Sequence, residues 1–350
     1  MKTQKPRLTI YDIARDMGLS PSTISKILHH SGKVGVATRK RVLDYVKEKG
    51  YVANFNARIL KAKHSWTLGV VFSDIASFGF EHPFFGSVLQ AFKNYVEVKG
   101  YELVFIVKKL GQSELTYYEW CQNKSVDGVL ILTGDLNDPN IIELVNSGIP
   151  CVSADIIMPN LYSAMSDDNL GITLGFNHLL DIGCHDIGAF SGPISARAYA
   201  ERTVAYRNLL DKHKMSFNES WYHDCDGYGV QNAYKQAKGW IASWKQRPQA
   251  IIAFSDDLAM GLINALKESK IRVPQDISVI GYDDIAFACL FNPPLTTIRQ
   301  DKVAIAEAAA DALLSLINGN GDILEKPTII QRIPVQLVIR DSTKKSKKTP

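Results

Sequence analysis

A length of 350 residues fits two or three globular units, and 46% apolar with 22% charged residues excludes a disordered chain. The net charge of +4 hides a division: residues 1–65 hold fourteen lysines and arginines against four carboxylates, which leaves −6 on the rest. A basic head on an acidic body points to a polyanion-binding module joined to something else.

In the head, Thr9 can cap a helix from Ile10, with Asp12 in its first turn where the helix dipole favours a carboxylate. Ile10, Ile13, Ala14 and Met17 fall at helical spacing and Gly18 ends the element. Ser20-Pro21 restarts a helix, with proline at the first position where its missing N–H costs nothing. Ile24, Ile27 and Leu28 then face inward and leave Pro21, Ser22, Ser25 and Lys26 outward. A third helix, about 38–49, buries Val42, Leu43 and Val46 and stops at Gly50. Helix, tight turn, polar-faced helix and supporting helix make the helix-turn-helix arrangement. Small three-helix modules with basic faces also dock proteins. The second helix presents small polar groups and a lysine rather than an apolar patch, however, and so large a positive surplus needs phosphates to offset its self-repulsion.

Residues 54–60 can form two helical turns, too few to be stable alone in water, so they should order only against a partner. The stretches LTIYDIARDMGLSPSTISKIL and ATRKRVLDYVKEKGYVANFNARIL resemble the LacI/GalR family of bacterial transcription repressors. The resemblance implies a hinge helix pairing with its dimer mate in the minor groove, Leu60 wedged into a base step, with Asn54, Ala57 and Arg58 around it. Ala53 stands where the family usually has proline. By the same resemblance Pro21, Ser22 and Lys26 take base-reading positions and Ser25 a phosphate-contacting one.

From Trp66 onward, short apolar strands alternate with helical patterns. Strands are expected at 68–72, 101–107, 127–132, 150–154, 186–190, 250–254 and 277–281. Helices are expected at 86–99, 140–147, 170–180, 202–213 and 258–269. Two such series argue for an α/β body of two lobes, each a doubly wound parallel sheet. Ligands of such sheets sit beyond the carboxyl ends of the strands, where this chain places aspartates and aromatics suited to a sugar. The segments AFSDDLAMGLINALKE, VPQDISVIGYDD and PPLTTIRQD are similar to the same family's effector-binding core, which has the type I periplasmic-binding-protein fold. That similarity implies effector contacts at Asp155, Arg202, Tyr228, Ser255, Asp283 and Gln300, with Phe84 or Phe85 lining the cleft. Ser255 replaces a commoner asparagine, and Ala205 a glycine. Asp168 and Asp256 could instead be helix caps, and the two phenylalanines could be core.

The expected organisation is a helix-turn-helix domain at 1–53, hinge and linker at 54–65, and a core at 66–340. Its N-lobe takes about 66–166 and 300–327, its C-lobe about 167–299 and 328–340, and 341–350 is a disordered basic tail. That tail lacks the heptads of a tetramerising segment, so a homodimer on a roughly palindromic operator is expected. The resemblance implies a repressor of a sugar-utilisation operon released by a sugar, with co-repression by a purine or activation by a sugar phosphate as alternatives. A sugar-binding transport protein shares the body but not the head. No enzyme motif, cofactor or metal site is expected: HExxH and GxxxxGK[ST] are absent and no GxG continues to the dinucleotide fingerprint. Five scattered cysteines without CxxC, no signal-peptide core and no long apolar run make a cytoplasmic, reduced protein without membrane contact the expectation.

Overall fold

The computed structural model describes residues 8–28, 32–51, 64–72, 82–319 and 328–344, and divides into two compact units between Ser65 and Trp66. The first unit holds α1 (Ile10–Met17), α2 (Pro21–Leu28) and α3 (Val36–Glu48). Thr9 and Asp12 cap α1 reciprocally, and Gly18 ends it in the left-handed region at φ 64°. Ser20 Oγ then accepts the Thr23 amide at 3.1 Å and opens α2. Ile13, Ala14, Ile24, Ile27 and Val42 form the core of this small unit. The third helix starts at Val36, two residues before the sequence expectation, because Gly35 turns the chain without a side-chain cap.

The second unit is two α/β lobes. The N-lobe sheet runs β13-β7-β6-β5-β1-β2, made of β1 (Thr67–Phe72), β2 (Glu102–Ile106), β5 (Gly128–Thr133), β6 (Cys151–Ser153), β7 (Tyr162–Ser166) and β13 (Ile329–Ile333). All its pairings are parallel. A two-stranded excursion, β3 (Lys109–Leu110) and β4 (Ser113–Glu114), follows β2. Around the sheet lie α4 (Pro83–Val98), α5 (Tyr117–Lys124), α6 (Pro139–Asn146) and α11 (Lys302–Ile317). The C-lobe sheet runs β14-β12-β11-β10-β8-β9. Its strands are β8 (Ile187–Ser191), β9 (Tyr222–Asp224), β10 (Ala250–Ala253), β11 (Ser278–Asp283), β12 (Thr296–Gln300) and β14 (Val335–Val338), of which β14 is antiparallel to β12. Its helices are α7 (Asp168–Asp181), α8 (Arg197–Lys212), α9 (Val230–Ala242) and α10 (Asp256–Glu268). Central strands such as β1, β5, β8 and β10 read as unbroken apolar runs because helices cover both their faces. Gly128 is a close approach of this kind: a Cβ there would lie 2.8 Å from Leu313 of α11.

The chain crosses between lobes after β7, after β12 and between β13 and β14. The last crossing falls at Pro334, not at 328. Ile329–Ile333 pairs with Tyr162–Ser166 and extends the N-lobe sheet before Val335 turns antiparallel to Gln300. The tail also begins later than 341. Ser342 and Thr343 are buried, and Ser342 Oγ donates to Val279 O at 2.6 Å and accepts from the Thr296 amide at 2.8 Å. Residues 345–350 lie outside the described ones.

Candidate functional site

The loops after the strands of both sheets face one another across a cleft enclosing about 320 Å³. All eight residues expected there line it: Phe84, Phe85, Asp155, Arg202, Tyr228, Ser255, Asp283 and Gln300. Phe72 at the end of β1 meets Phe85 edge-on at 6.2 Å, so the N-lobe wall is aromatic. Phe84 is 9% exposed and belongs to both descriptions weighed for it, lining the cleft and packing in the N-lobe core.

Arg202 is 5% exposed and held on three sides. Its Nε donates to Asp168 Oδ1 at 2.8 Å, its Nη1 to the carbonyl of Phe254, and its guanidinium carbon lies 3.6 Å over the Tyr282 ring. Burial alone would raise the Asp168 carboxyl. The guanidinium charges of Arg202 and then Arg197 outweigh it and hold Asp168 below the usual carboxylate range. The cap alternative falls to neighbours: Asp167 accepts the Leu170 amide at 2.9 Å and Ser255 the Leu258 amide at 3.2 Å. Asp168 and Asp256 are thereby free to point inward.

Asp283 ends β11 at φ 120°, a strained angle for any residue but glycine, followed by Asp284 at φ 49°. Asp256 fixes this bend by accepting from the Ile285 amide at 2.8 Å and from Thr297 Oγ1 at 2.5 Å. Gly281 makes room, since a Cβ there would stand 2.3 Å from Asp256 Oδ1. Gln300 Nε2 donates to Asp283 Oδ1. Burial pushes Asp283 up to about 6 against the pull of Arg202 and Lys302. Burial and the neighbouring Asp283 carry Asp256 well above the normal range.

Arg197 and Tyr199, neither of them expected from the sequence, also line the cleft. Helix α8 starts at Arg197 rather than near 202, and Ala196 offers it no side-chain cap. Arg197 Nη2 reaches Asp155 Oδ1 at 3.2 Å, and its Nη1 reaches Asp168 Oδ2 at 3.0 Å and Glu201 Oε2 at 3.1 Å. Tyr199 packs its ring where Gly192 has no Cβ, 6.0 Å from the ring of Tyr228. The cleft's guanidinia are therefore already matched by carboxylates, while Asp283 and Asp135 add negative charge. Among the described residues the arrangement offers aromatic faces and hydrogen-bonding groups, and both guanidinia lining it are paired.

In the first unit Ser22 and Lys26 are exposed on α2, while Pro21 and Ser25 are half-buried. Their helix is seated by Ile24 and Ile27, and α3 is tied to α1 where Tyr45 donates to Asp16 at 2.6 Å. The expected hinge contacts Asn54, Ala57, Arg58 and Leu60 lie outside the described residues.

Residues 9–54 match the model of the bacterial regulatory proteins of the lacI family, and residues 176–343 that of the periplasmic binding protein-like domain. The chain is 31% identical over 346 residues to the HTH-type transcriptional repressor PurR of Vibrio vulnificus, covering 96% of this chain and 99% of the relative. It is 32% identical to the PurR of Vibrio parahaemolyticus, with the same coverage. The solved lac repressor dimer bound to operator and the anti-inducer ONPF superposes with a TM-score of 0.81 at 25% identity, over 96% of this chain and 99% of that one.

Proposed function

Since this chain belongs to the lacI family of bacterial regulatory proteins and is a DNA-binding transcriptional repressor with a small-molecule effector core, we propose that a neutral sugar filling the cleft releases it from its operator. The observation that carries this reading is the charge balance of the cleft. Arg197 and Arg202 are both paired, with Asp155, Asp168 and Glu201, so neither guanidinium is open to an incoming anion. A phosphate or carboxylate brought there finds both guanidinia already taken by carboxylates, whereas hydroxyls find acceptors at Asp283 and donors at Gln300 and Tyr228. Phe85 and Phe72 offer ring faces to the apolar side of a pyranose.

On the DNA side, Ser22 and Lys26 are the groups α2 presents to base edges, with Pro21 and Ser25 beside them. Asn54, Ala57, Arg58 and Leu60 are the proposed minor-groove contacts. One helix-turn-helix reads a half-site, so the working form is a homodimer in the cytoplasm. Exposed Val98, Phe287, Leu290 and Val303 support this, being large apolar side chains that a second copy can cover.

A thermal-shift panel of free sugars, sugar phosphates and purines tests the reading, followed by operator release with each hit. A free sugar should raise the midpoint and detach operator DNA. Stabilisation by phosphorylated sugars or purines alone would overturn it.

A further inference from the structure

We infer that Arg197, Glu201 and Arg332 form a clasp that holds the two lobes together in the absence of any effector, with helix α8 as its bar. Asp155 lies on the loop after β6 and Arg332 on β13, both in the N-lobe, whereas α8 belongs to the C-lobe. The first turn of α8 is fastened by Arg197. Its Nε donates to Asp155 O at 2.5 Å and its Nη2 to Asp155 Oδ1 at 3.2 Å, with only 13% of the side chain exposed. One turn on, Glu201 receives Arg332 through two parallel bonds, Nη1 to Oε2 at 2.7 Å and Nη2 to Oε1 at 3.0 Å. The two fastenings share an atom, because Arg197 Nη1 also stands 3.1 Å from Glu201 Oε2. Arg332 additionally donates to Ser166 O at 3.3 Å, where the chain leaves the N-lobe.

A flat guanidinium gripped from two lobes is sensitive to geometry. Its planar fork matches carboxylates bidentately, so a small rotation of one lobe loses several bonds together. Lobe opening would strip Arg197 from Asp155 and Arg332 from Glu201, so Asp155 and Arg332 lose their ion-pair partners while Arg197 keeps Asp168 and Glu201. The clasp thus biases the free chain toward closure, and an effector has less closure left to drive. These groups are positioning residues acting on the cleft from its rim.

The consequence for repression rests on the effector reading, but the clasp is tested without ligand. Interlobe distances are read by double electron–electron resonance between spin labels at Gln122→Cys on α5 and Lys235→Cys on α9. Both positions are exposed, and the full chain carries Cys289→Ser and is diluted with unlabelled protein. Arg332→Gln and, separately, Glu201→Gln should shift and broaden the distribution. Arg332→Lys, which keeps the charge and one bond, should restore most of it. Arg272→Gln is the matched control: it removes an equally bidentate pair with Asp276, at 2.9 Å and 2.9 Å, lying within the C-lobe, and should leave the distribution unchanged. Distributions superimposing on the parent's for both clasp variants would overturn the inference. So would an equal shift in the control. A ligand screen that finds no sugar leaves this result untouched, and the reverse also holds.

Discussion

The guanidinium carbon of Arg202 lies 3.6 Å above the centre of the Tyr282 ring, and the ring reaches that place because residue 171 has no side chain. A Cβ on Gly171 would stand 2.3 Å from the Tyr282 hydroxyl and 2.8 Å from its ring. Gly171→Ala must therefore push a fully buried tyrosine off the arginine. Overpacking of this kind costs about 1–3 kcal/mol, which urea melts will read. The effector response should weaken along with it, while operator affinity is kept. An unchanged midpoint would mean that the ring moves freely and does not seat Arg202.

Arg202→Ala removes one of the two cations that keep Asp168 ionised inside the C-lobe. Breaking a buried pair on one side costs about 3–5 kcal/mol, and denaturant unfolding should show a loss of that order. Arg202→Lys keeps a charge, yet one ammonium cannot reach Asp168 and the Phe254 carbonyl while lying flat on the ring. A lysine variant with parental stability and response would remove the guanidinium geometry from the account.

Asp283 fixes a pH dependence. Burial lifts its carboxyl to about 6, above its ordinary value of 3.8, so the folded chain holds this proton more tightly than the unfolded chain. The stability from that proton is fully present below about pH 3.8 and is lost as pH rises through about 6. Asp283→Asn should reduce the slope between these limits and gain on the parent at pH 7, with the remaining slope belonging to the neighbouring Asp256. Sugar binding should instead fall on acidification, since a protonated Asp283 accepts less well from hydroxyls. A variant with the parent's pH slope in urea melts would place the titration elsewhere.

Operator binding should weaken steeply with salt, as the basic head displaces counterions from phosphates. Leu60→Ala should cost affinity for the operator while leaving random DNA unaffected. An equal loss on both would remove the wedge role proposed for Leu60, and a flat salt dependence would contradict phosphate-driven binding.

Much of the cleft was legible because its residues follow strands, and strand ends are readable from short apolar runs such as AIIAF and ISVIG. The aspartate pairs behaved as sequence neighbours should, pointing apart. Asp167 caps α7 while Asp168 turns to the arginines, and Asp284 pairs with Arg299 and Arg340 while Asp283 faces the cleft. Arg197 stayed hidden because ISARAYA carries no helical periodicity and two of its partners are fixed by tertiary contact, Asp155 on the opposite lobe and Asp168 on α7. The exchange of β13 and β14 between sheets was illegible for a similar reason. Only Pro334 separates them, and both strands read as one extended stretch, IIQRIPVQLV.

The most direct test is the reciprocity between cleft and DNA head. The affinity for the sugar found by thermal shift is measured by calorimetry on the free protein and on protein saturated with an operator selected from random duplexes. A coupling of about 1–3 kcal/mol predicts sugar binding weakened roughly 5- to 150-fold on the operator complex. The same sugar affinity in both forms would contradict the account, because a ligand that does not distinguish the two states cannot release the repressor.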